Sequence, residues 1–552
     1  MYRFRDLFTP RLPAAARRRL RHFRRSEDGS AIIFTLFLLS VLLIVAGYAV
    51  DTMRFENKRA RLQATLDRAV LAAADLDQTL PCEDVVRDYF DKSDLLDEIT
   101  SITCTESLNG RTVEATAALE MNTLFMQGTD QLVAPASGAA TEFISDVEIV
   151  LVLDVSGSMR SNSRLVNLRA AAQEFVNEVL ENDEEDRISV AIVPFNAQVN
   201  LGPTLFNAYA NVFDEHGLSN LHCVDLPTSA WNDPSISPST SMPQAAHFDA
   251  NSSTTRNTSY YAPQAPVFST TSSINDAVPT CKPWTENFVR LPSQNITQMQ
   301  TQLNLLRGDG NTSIYLGMKW GLALLDPASR PIITSAISAG QVPATLSGRP
   351  FDYDREDTMK VLVLMTDGEH VSSTVMNDGY RSGLSPIYRG ADGRYAIHHP
   401  TSTRVSGRKY YTPHNNAWNT TASWSGSGTV TQLTWPEVWT SVRMQWVAWQ
   451  LYARPWGTST TTRDTYYTNQ MNAFRRSTNV TTMNTQLQES CAQARDNGII
   501  VFGIAFEAPV NGQTQISQCA SSPSHYYNAA GLQISAAFNS IANQINALRL
   551  VQ

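Results

Sequence analysis

Val147-Glu148-Ile149-Val150-Leu151-Val152-Leu153-Asp154-Val155-Ser156-Gly157-Ser158 is the stretch on which the reading of the fold turns. Val147 to Leu153 is largely apolar, with Glu148 near its start, and reads as a strand buried on both faces of a parallel sheet. The residues that follow put one carboxylate and two hydroxyls, Asp154, Ser156 and Ser158, on the loop leaving the strand's C-terminal end. Open α/β sheets bind ligands at that end. Oxygen donors of this kind suit a hard divalent cation such as magnesium, which takes octahedral oxygen coordination and keeps several waters. The same residues would also suit a Ser-rich turn in which Asp154 and Ser156 cap the next helix. A nucleophilic serine at Ser156 or Ser158 is a further reading, but no G-x-S-x-G elbow surrounds them and no His has a recognisable partner role.

The D-x-S-x-S pattern resembles the first part of the metal-ion-dependent adhesion site (MIDAS) of von Willebrand factor type A (vWA) domains. That resemblance implies a threonine on a second loop and an aspartate after a later strand. Gly308-Asp309-Gly310-Asn311-Thr312-Ser313 leads into an apolar helix, Ile314 to Leu325, and supplies Thr312. Lys360-Val361-Leu362-Val363-Leu364-Met365-Thr366-Asp367-Gly368 reads as a buried strand ending in Asp367. The implied metal set is therefore Asp154, Ser156, Ser158, Thr312 and Asp367. The resemblance implies Mg2+, or else Mn2+ or Ca2+. The serines and the threonine can touch the metal directly, and the aspartates act through water or as direct ligands. One position is left for an Asp or Glu carboxylate from a protein partner. Two carboxylates and three hydroxyls carry a charge of about −2 and are too oxygen-rich for a zinc preference.

The rest of the chain continues an α/β alternation. A helix over 165–180 follows the first loop, then a strand from Ile188 to Phe195, a helix near 297–306 and the Thr312 helix. The Val361 strand comes next, then a helix over 484–497, a strand from Ile499 to Phe506 and a final helix over 532–549. The fold class expected is α/β: a vWA (Rossmann-like) parallel sheet with helices on both faces. It occupies 146–552 and is interrupted by insertions at 201–287, 327–357 and 370–480. The last holds Trp418, Trp424, Trp435, Trp439, Trp446, Trp449 and Trp456, and that aromatic content predicts a folded insertion rather than a disordered one. His398-His399 reads as a surface loop, because neighbours on a strand face opposite ways and cannot readily share a metal. Glu181 to Asp186 reads as a solvated acidic turn.

Ala31 to Val50 carries no charge over twenty residues, enough to cross a membrane as a helix. It is longer than a usual signal-peptide apolar region and lacks an A-x-A cleavage site. Residues 1–30 carry nine Arg against Asp6, Glu27 and Asp28, a local charge of about +6 that leaves about −15 on the remainder of a chain of formal net charge −9. The acidic body argues against nucleic acid as a partner. The Arg cluster just before the span predicts a cytoplasmic N-terminus, with the bulk of the chain periplasmic. Six cysteines without a C-x-x-C spacing favour disulfides outside the cytoplasm. Sequence-near couples are expected: Cys82 with Cys104, Cys223 with Cys281, Cys491 with Cys519.

Leu62, Leu66, Ala69, Val70 and Ala73 extend a helical pattern beyond the span, and Pro81 should end it. Gly29 before the apolar run, Ala49-Val50-Asp51 at its exit, Arg61-Leu62-Gln63-Ala64 and Asp67-Arg68-Ala69-Val70-Leu71-Ala72-Ala73-Ala74 resemble the N-terminal segment of TadE/TadG-like proteins of the tight-adherence (Flp) pilus-assembly system. Pilin-like members of that group carry a Glu five positions after the Gly, read by a prepilin peptidase. Here Phe34 stands there, so a retained single-pass inner-membrane anchor is expected. The organisation predicted is a basic cytoplasmic segment (1–30), a transmembrane helix (31–50), a juxtamembrane helix (51–81), a small β-containing stalk (82–145) and the vWA domain (146–552). Ala134 to Gly138 reads as the joining segment.

The function these features imply is adhesion or scaffolding in Flp/Tad-type pilus assembly or cell-surface attachment, through metal-bridged capture of a protein partner and without enzymatic activity. An envelope vWA scaffold unrelated to pili is the nearest alternative. A metal-dependent hydrolase would need a general base near the metal, for which Glu369 and His370 are the local candidates.

Overall fold

The helical spacing of Leu62, Leu66, Ala69, Val70 and Ala73 becomes the buried stripe of a single long helix, α1 (Ser30–Ala74), which carries the apolar span and its continuation without a break. The computed structural model describes residues 30–75, 78–106, 110–126, 131–143, 145–181, 183, 186–209, 212–248, 280–355 and 357–551, with isolated positions 15, 18 and 19 before them. Most of the Arg-rich N-terminus therefore lies outside the described residues. Two compact units emerge, Met1–Ile144 and Ser145–Gln552.

In the first unit α1 is long and apolar enough to cross a membrane. Its C-terminal half packs with a second helix, α2 (Cys82–Asp91), and with an antiparallel sheet of β1 (Ile99–Glu106), β2 (Gly110–Asn122) and β3 (Gln131–Phe143) in the order β1-β2-β3. Val113, Ala115, Ala117, Leu119 and Met121 alternate into the shared core, the period of a half-buried strand. The segment Ala134–Gly138 is a correction: it is no linker but the middle of β3, paired residue for residue with Ser137↔Thr116 and Ala136↔Ala117. Pro135 is tolerated because β3 is an edge strand, with a partner on one side only. Cys82–Cys104 staples α2 to β1.

The second unit is built on a six-stranded sheet. Its strands are β4 (Asp146–Asp154), β5 (Ile188–Phe195), β6 (Arg290–Ser293), β7 (Thr358–Thr366), β8 (Ile500–Phe506) and β9 (Tyr526–Ala529), in the order β9-β8-β7-β4-β5-β6. All neighbours are parallel except β6, which closes the β5 edge antiparallel. The strands at its centre are buried on both faces. Val147, Ile149, Leu151 and Leu153 face helices α3 (Arg164–Glu181), α4 (Ile296–Leu305) and α8 (Gln533–Val551); Val150 and Val152 face α5 (Ile314–Leu325), α6 (Val480–Asp496) and α7 (Val510–Cys519). This is the mostly parallel sheet, covered on both sides, that the alternation implied. Glu148, the charge inside β4, forms a buried ion pair with Lys360 of β7 and accepts the Phe351 N–H at 3.0 Å.

α5 is buried over its whole length because two glycines let it settle onto the sheet. A Cβ on Gly317 would come within 2.5 Å of Phe195, and one on Gly321 within 2.5 Å of Val152. Its buried Lys319 reaches across to the carbonyls of Asp233, Pro234 and Ser235, tying down the first insertion. Cys223–Cys281 closes that insertion, whose residues 249–279 lie outside those described, and Cys491–Cys519 links α6 to α7.

The third insertion is folded. Residues 384–390, 395–398, 410–412, 417–419 and 430–434 form an antiparallel sheet over a core that includes Trp435, Trp439, Trp446 and Phe474. It leaves and returns through one antiparallel pair, Ser373–Met376 against Arg475–Thr478. The His pair is a second correction. His398 ends a strand and stacks on Tyr410 at 4.6 Å, while His399 is buried, donates to the Leu451 carbonyl at 3.0 Å and is ringed by Trp418, Tyr452 and Trp456. Aromatic packing in the insertion, not solvent, receives it. The acidic turn also departs in part from the solvated reading: Asp183 is buried and its carboxylate accepts the Ile188 N–H at 2.6 Å, pinning the entry to β5.

Candidate metal centre

β4 and β7 are adjacent and parallel, so their C-terminal ends deliver Asp154 and Asp367 to the same edge of the sheet. Asp154 is fully buried. Its Oδ1 accepts the Ser156 N–H at 2.7 Å, and its Oδ2 accepts the Thr366 hydroxyl at 2.6 Å. The loop then turns so that the Ser156 and Ser158 hydroxyls lie 2.9 Å apart, and Ser158 donates to Asp367 Oδ1 at 2.6 Å. Hydrogen bonds thus link Asp154, through the Ser156 backbone N–H and then the two serine hydroxyls, to Asp367.

The second loop is laid directly on the first. Gly157 N–H donates to Gly310 O at 2.8 Å, and Asp309 N–H donates to Val155 O at 2.9 Å. The approach is backbone on backbone: a Cβ on Gly157 would sit 3.2 Å from Gly310 O, and one on Gly308 3.1 Å from Ser156 O. Gly310 also holds a φ of +84°, a left-handed conformation that favours glycine. This packing brings buried Thr312 to the third loop, where its Oγ1 lies 3.2 Å from the position a Gly368 Cβ would take. The structure therefore gathers Asp154, Ser156, Ser158, Thr312 and Asp367, from three separated stretches, at one end of the sheet. Among the described residues no group of three or more His, Cys, Asp or Glu side chains is arranged to hold a metal. The donor set here is two carboxylates and three hydroxyls, the all-oxygen chemistry that suits a hard divalent cation.

Charge is concentrated where water is scarce. Burial, and then the nearby Asp367 carboxylate, push Asp154 well above the usual carboxylate range. Arg164 supplies one counter-charge: Nη1 donates to Asp367 Oδ2 at 2.8 Å and Nε to Glu507 Oε2 at 2.8 Å. The Arg164 hydrogen bond holds Glu507 below the usual range. Asp309 is taken up by Lys282, 2.8 Å away, with Arg160 at 3.7 Å, and so stands apart from the donor set. Sequence reading missed Arg164, Lys282 and Glu507. Arg164 did leave a signal, since a cation in the first turn of a helix is disfavoured by the helix dipole unless an anion faces it.

The two residues read as possible bases do not suit that part. Glu369 is exposed. His370 is buried, with Nε2 accepting the Tyr315 N–H at 2.9 Å and Nδ1 2.6 Å from Asn484 Oδ1, so both ring nitrogens are engaged in holding α5 and α6.

Residues 29–76 match the family model described as putative Flp pilus-assembly TadE/G-like. No curated protein matches the chain. Among solved structures the chain is similar to the vWF domain of the type V pili tip protein Mfa5 from Porphyromonas gingivalis, at 11% identity and a TM-score of 0.30, covering 74% of this chain and 97% of that one. It is similar to the pilus adhesin SpaC from Lactobacillus rhamnosus GG at 12% identity and a TM-score of 0.28, covering 81% of this chain and 34% of that one. Proximal thread matrix protein 1 from the mussel byssus, with a zinc-occupied MIDAS motif, is similar at 9% identity and a TM-score of 0.24, covering 72% of this chain and 46% of that one.

Proposed function

We propose that the chain is a single-pass inner-membrane protein whose second unit works outside the cytoplasm, in Flp/Tad-type pilus assembly or cell-surface adhesion. It captures a protein partner through a divalent cation held by Asp154, Ser156, Ser158, Thr312 and Asp367. The observation that carries this reading is the convergence of these five side chains from three loops at the C-terminal ends of β4 and β7. The match of residues 29–76 to the TadE/G-like model supports the pilus setting.

In this reading the hydroxyls of Ser156, Ser158 and Thr312 hold the cation, and the two carboxylates balance its charge directly or through water. A bound Mg2+, Mn2+ or Ca2+ supplies a positive centre with an open position for a partner's Asp or Glu. The chain's own residues keep that centre rigid. Asp154 fixes the first loop through the Ser156 N–H, Thr366 fixes Asp154, and Arg164 fixes Asp367.

Calorimetric titration of the full chain with Mg2+ and Mn2+ tests the site. Asp154→Ala combined with Thr312→Ala is expected to abolish binding while circular dichroism stays unchanged, because the sheet core is apolar and independent of the ion. Unchanged affinity in that variant would remove the site. Capture of envelope proteins from solubilised membranes is expected to be lost both in the variant and in chelator. Capture that survives both would leave a metal site with no adhesive role.

A further inference from the structure

α1 runs its apolar span straight into Asp51, whose side chain is fully buried although it stands at the exit of that span. What covers it is the tip of the β2–β3 hairpin. Asp51 Oδ2 accepts the backbone N–H groups of Leu124, Phe125 and Met126 at 3.1, 2.7 and 3.1 Å, and Oδ1 lies 3.3 Å from Arg54 Nη1. One turn earlier on the helix, Phe125 lies against Gly47: a Cβ there would come 2.7 Å from Phe125 Cβ and 2.9 Å from its Cγ. The same tip leaves Leu124 65% and Phe125 54% exposed, alongside Tyr48 at 40% and Val50 at 44%.

We propose that the hairpin tip Leu124–Met126 is a second membrane-contacting element, locked onto α1 by Asp51 and seated among phospholipids at the outer edge of the bilayer. The inference rests on α1 crossing a membrane. Ala31 to Val50 covers ~30 Å at ~1.5 Å per residue, the thickness of a hydrocarbon core. Asp51 then falls at the boundary, and Gly47 lies ~6 Å inside it. Phe125, held against Gly47, is placed at a depth where its exposed face meets lipid. Irregular backbone is tolerated there only when its N–H groups find partners within the protein. Asp51 supplies an acceptor to three in succession, which a loop in water does not need. Arg54 neutralises the carboxylate from the headgroup side. The exposed apolar surface of the tip is continuous with the lipid-facing surface of the helix, so one solvent, the bilayer, covers both.

The test uses the full chain with its disulfides intact, carrying a single added cysteine labelled with an environment-sensitive fluorophore. It is reconstituted in phosphatidylcholine–phosphatidylglycerol vesicles containing lipids that bear a quencher either shallow or deep in the acyl chain. Labels replace Leu124, Leu39 in mid-span, and Glu114, which lies ~26 Å up β2 from Asn122 at ~3.3 Å per residue. Leu39→Cys is expected to be quenched most by the deep lipid. Leu124→Cys should be quenched by the shallow lipid at least twofold more than Glu114→Cys. An unquenched Leu39 label would remove the membrane anchor itself. A quenched Leu39 label with Leu124 behaving like Glu114 would overturn the tip's lipid contact, leaving water or a second copy as its neighbour. Adding Asp51→Ala, a substitution a helix accepts, is expected to halve the shallow quenching at position 124 and leave Leu39 unaltered. No change at 124 would overturn the locking role of Asp51.

Discussion

Arg164 and a divalent cation would compete for the same carboxylate. Arg164 holds Asp367 Oδ2 while Ser158 holds Oδ1, so a positive charge already stands beside the candidate site. Two like charges a few ångströms apart at a partly screened site repel by more than 1 kcal/mol. Arg164→Gln is therefore expected to tighten Mg2+ binding about tenfold, while lowering stability by ~1–3 kcal/mol because Asp367 and Glu507 lose their shared partner. Weaker binding in that variant would mean that orienting Asp367 outweighs the repulsion. Asp154→Asn separates charge from shape. Burial and Asp367 already disfavour ionised Asp154, so the amide is expected to leave metal-free stability unchanged or raised in urea melts, and to abolish Mg2+ binding in the calorimeter. The oxygen donors were legible at this scale because each sits where a buried strand or an apolar helix begins or ends, and those boundaries are periodic in the sequence. Lys282 was not legible. It lies near the close of the first insertion, where the Cys223–Cys281 crosslink and the Asn200 amide on the Lys282 carbonyl hold it against Asp309, contacts that no sequence period announces.

Helix α5 depends on having no side chain where it touches the sheet. Gly321→Ala should gain a little helix propensity and lose more to overpacking, since its Cβ would meet Val152 Cγ2 at 2.5 Å. A net loss of ~1–3 kcal/mol in chemical denaturation is expected; no loss would mean that the contact between α5 and β4 is loose. The same helix is held through His370, whose pKa burial lowers to about 4 despite the Asn484 hydrogen bond. The folded value lies below the unfolded one, so between pH 4 and about 6.5 the unfolded chain binds more protons and stability rises with pH. This contribution is complete above about 6.5 and gone below 4, worth up to about 3 kcal/mol. His370→Gln is expected to flatten that part of the stability–pH curve, and an unchanged slope would assign it to other groups. The helices and central strands around the six-stranded sheet were readable to within a few residues because their apolar periods are long and regular, whereas α1, expected to run to Pro81, ends at Ala74 and Pro81 caps α2 instead. Nor was β3 readable: Pro135 and Gly138 are the usual marks of a turn. What makes them compatible with a strand is its edge position, and the close approach of α1, whose Leu66 Cδ2 would lie 3.5 Å from a Gly138 Cβ.

Across the whole chain the three disulfides join sequence-near couples, and thiol counting by mass spectrometry on envelope-derived protein is expected to find no free cysteine. Closing 28 residues between α6 and α7 should stabilise the second unit by ~3–4 kcal/mol on the loop-entropy account, so reduction is expected to lower its melting temperature by several degrees. Protease added from the periplasmic side of the membrane is expected to remove everything beyond ~51 and leave a short protected fragment; protection of the second unit would reverse the proposed orientation. At this scale the sequence announced the large insertion after Asp367 by its tryptophans, but not its sheet, because strands of three to seven residues carry too few alternations to be read.

That insertion enters and leaves by neighbouring positions, since Met376 and Arg475 are register partners in its two-stranded stem. A segment whose ends meet in this way is a graft point: what lies beyond it can be exchanged without re-threading the parent sheet. Replacing 377–474 by Asn-Gly, a two-residue hairpin connection, should leave the α/β unit intact. Two repairs are needed: Arg381 lies in the excised part and neutralises the buried Asp225 side chain at 2.7 Å, so Asp225→Asn should accompany the excision, and Phe248, which packs in the excised core, should become polar. The shortened protein is expected to keep the Cys491–Cys519 crosslink, cooperative unfolding and an Mg2+ affinity within about threefold of the parent, the last following if the ion meets only loops of the parent sheet. If those properties hold, relatives could carry different cassettes on one metal-bearing frame, and partner choice would be inherited separately from the means of gripping it.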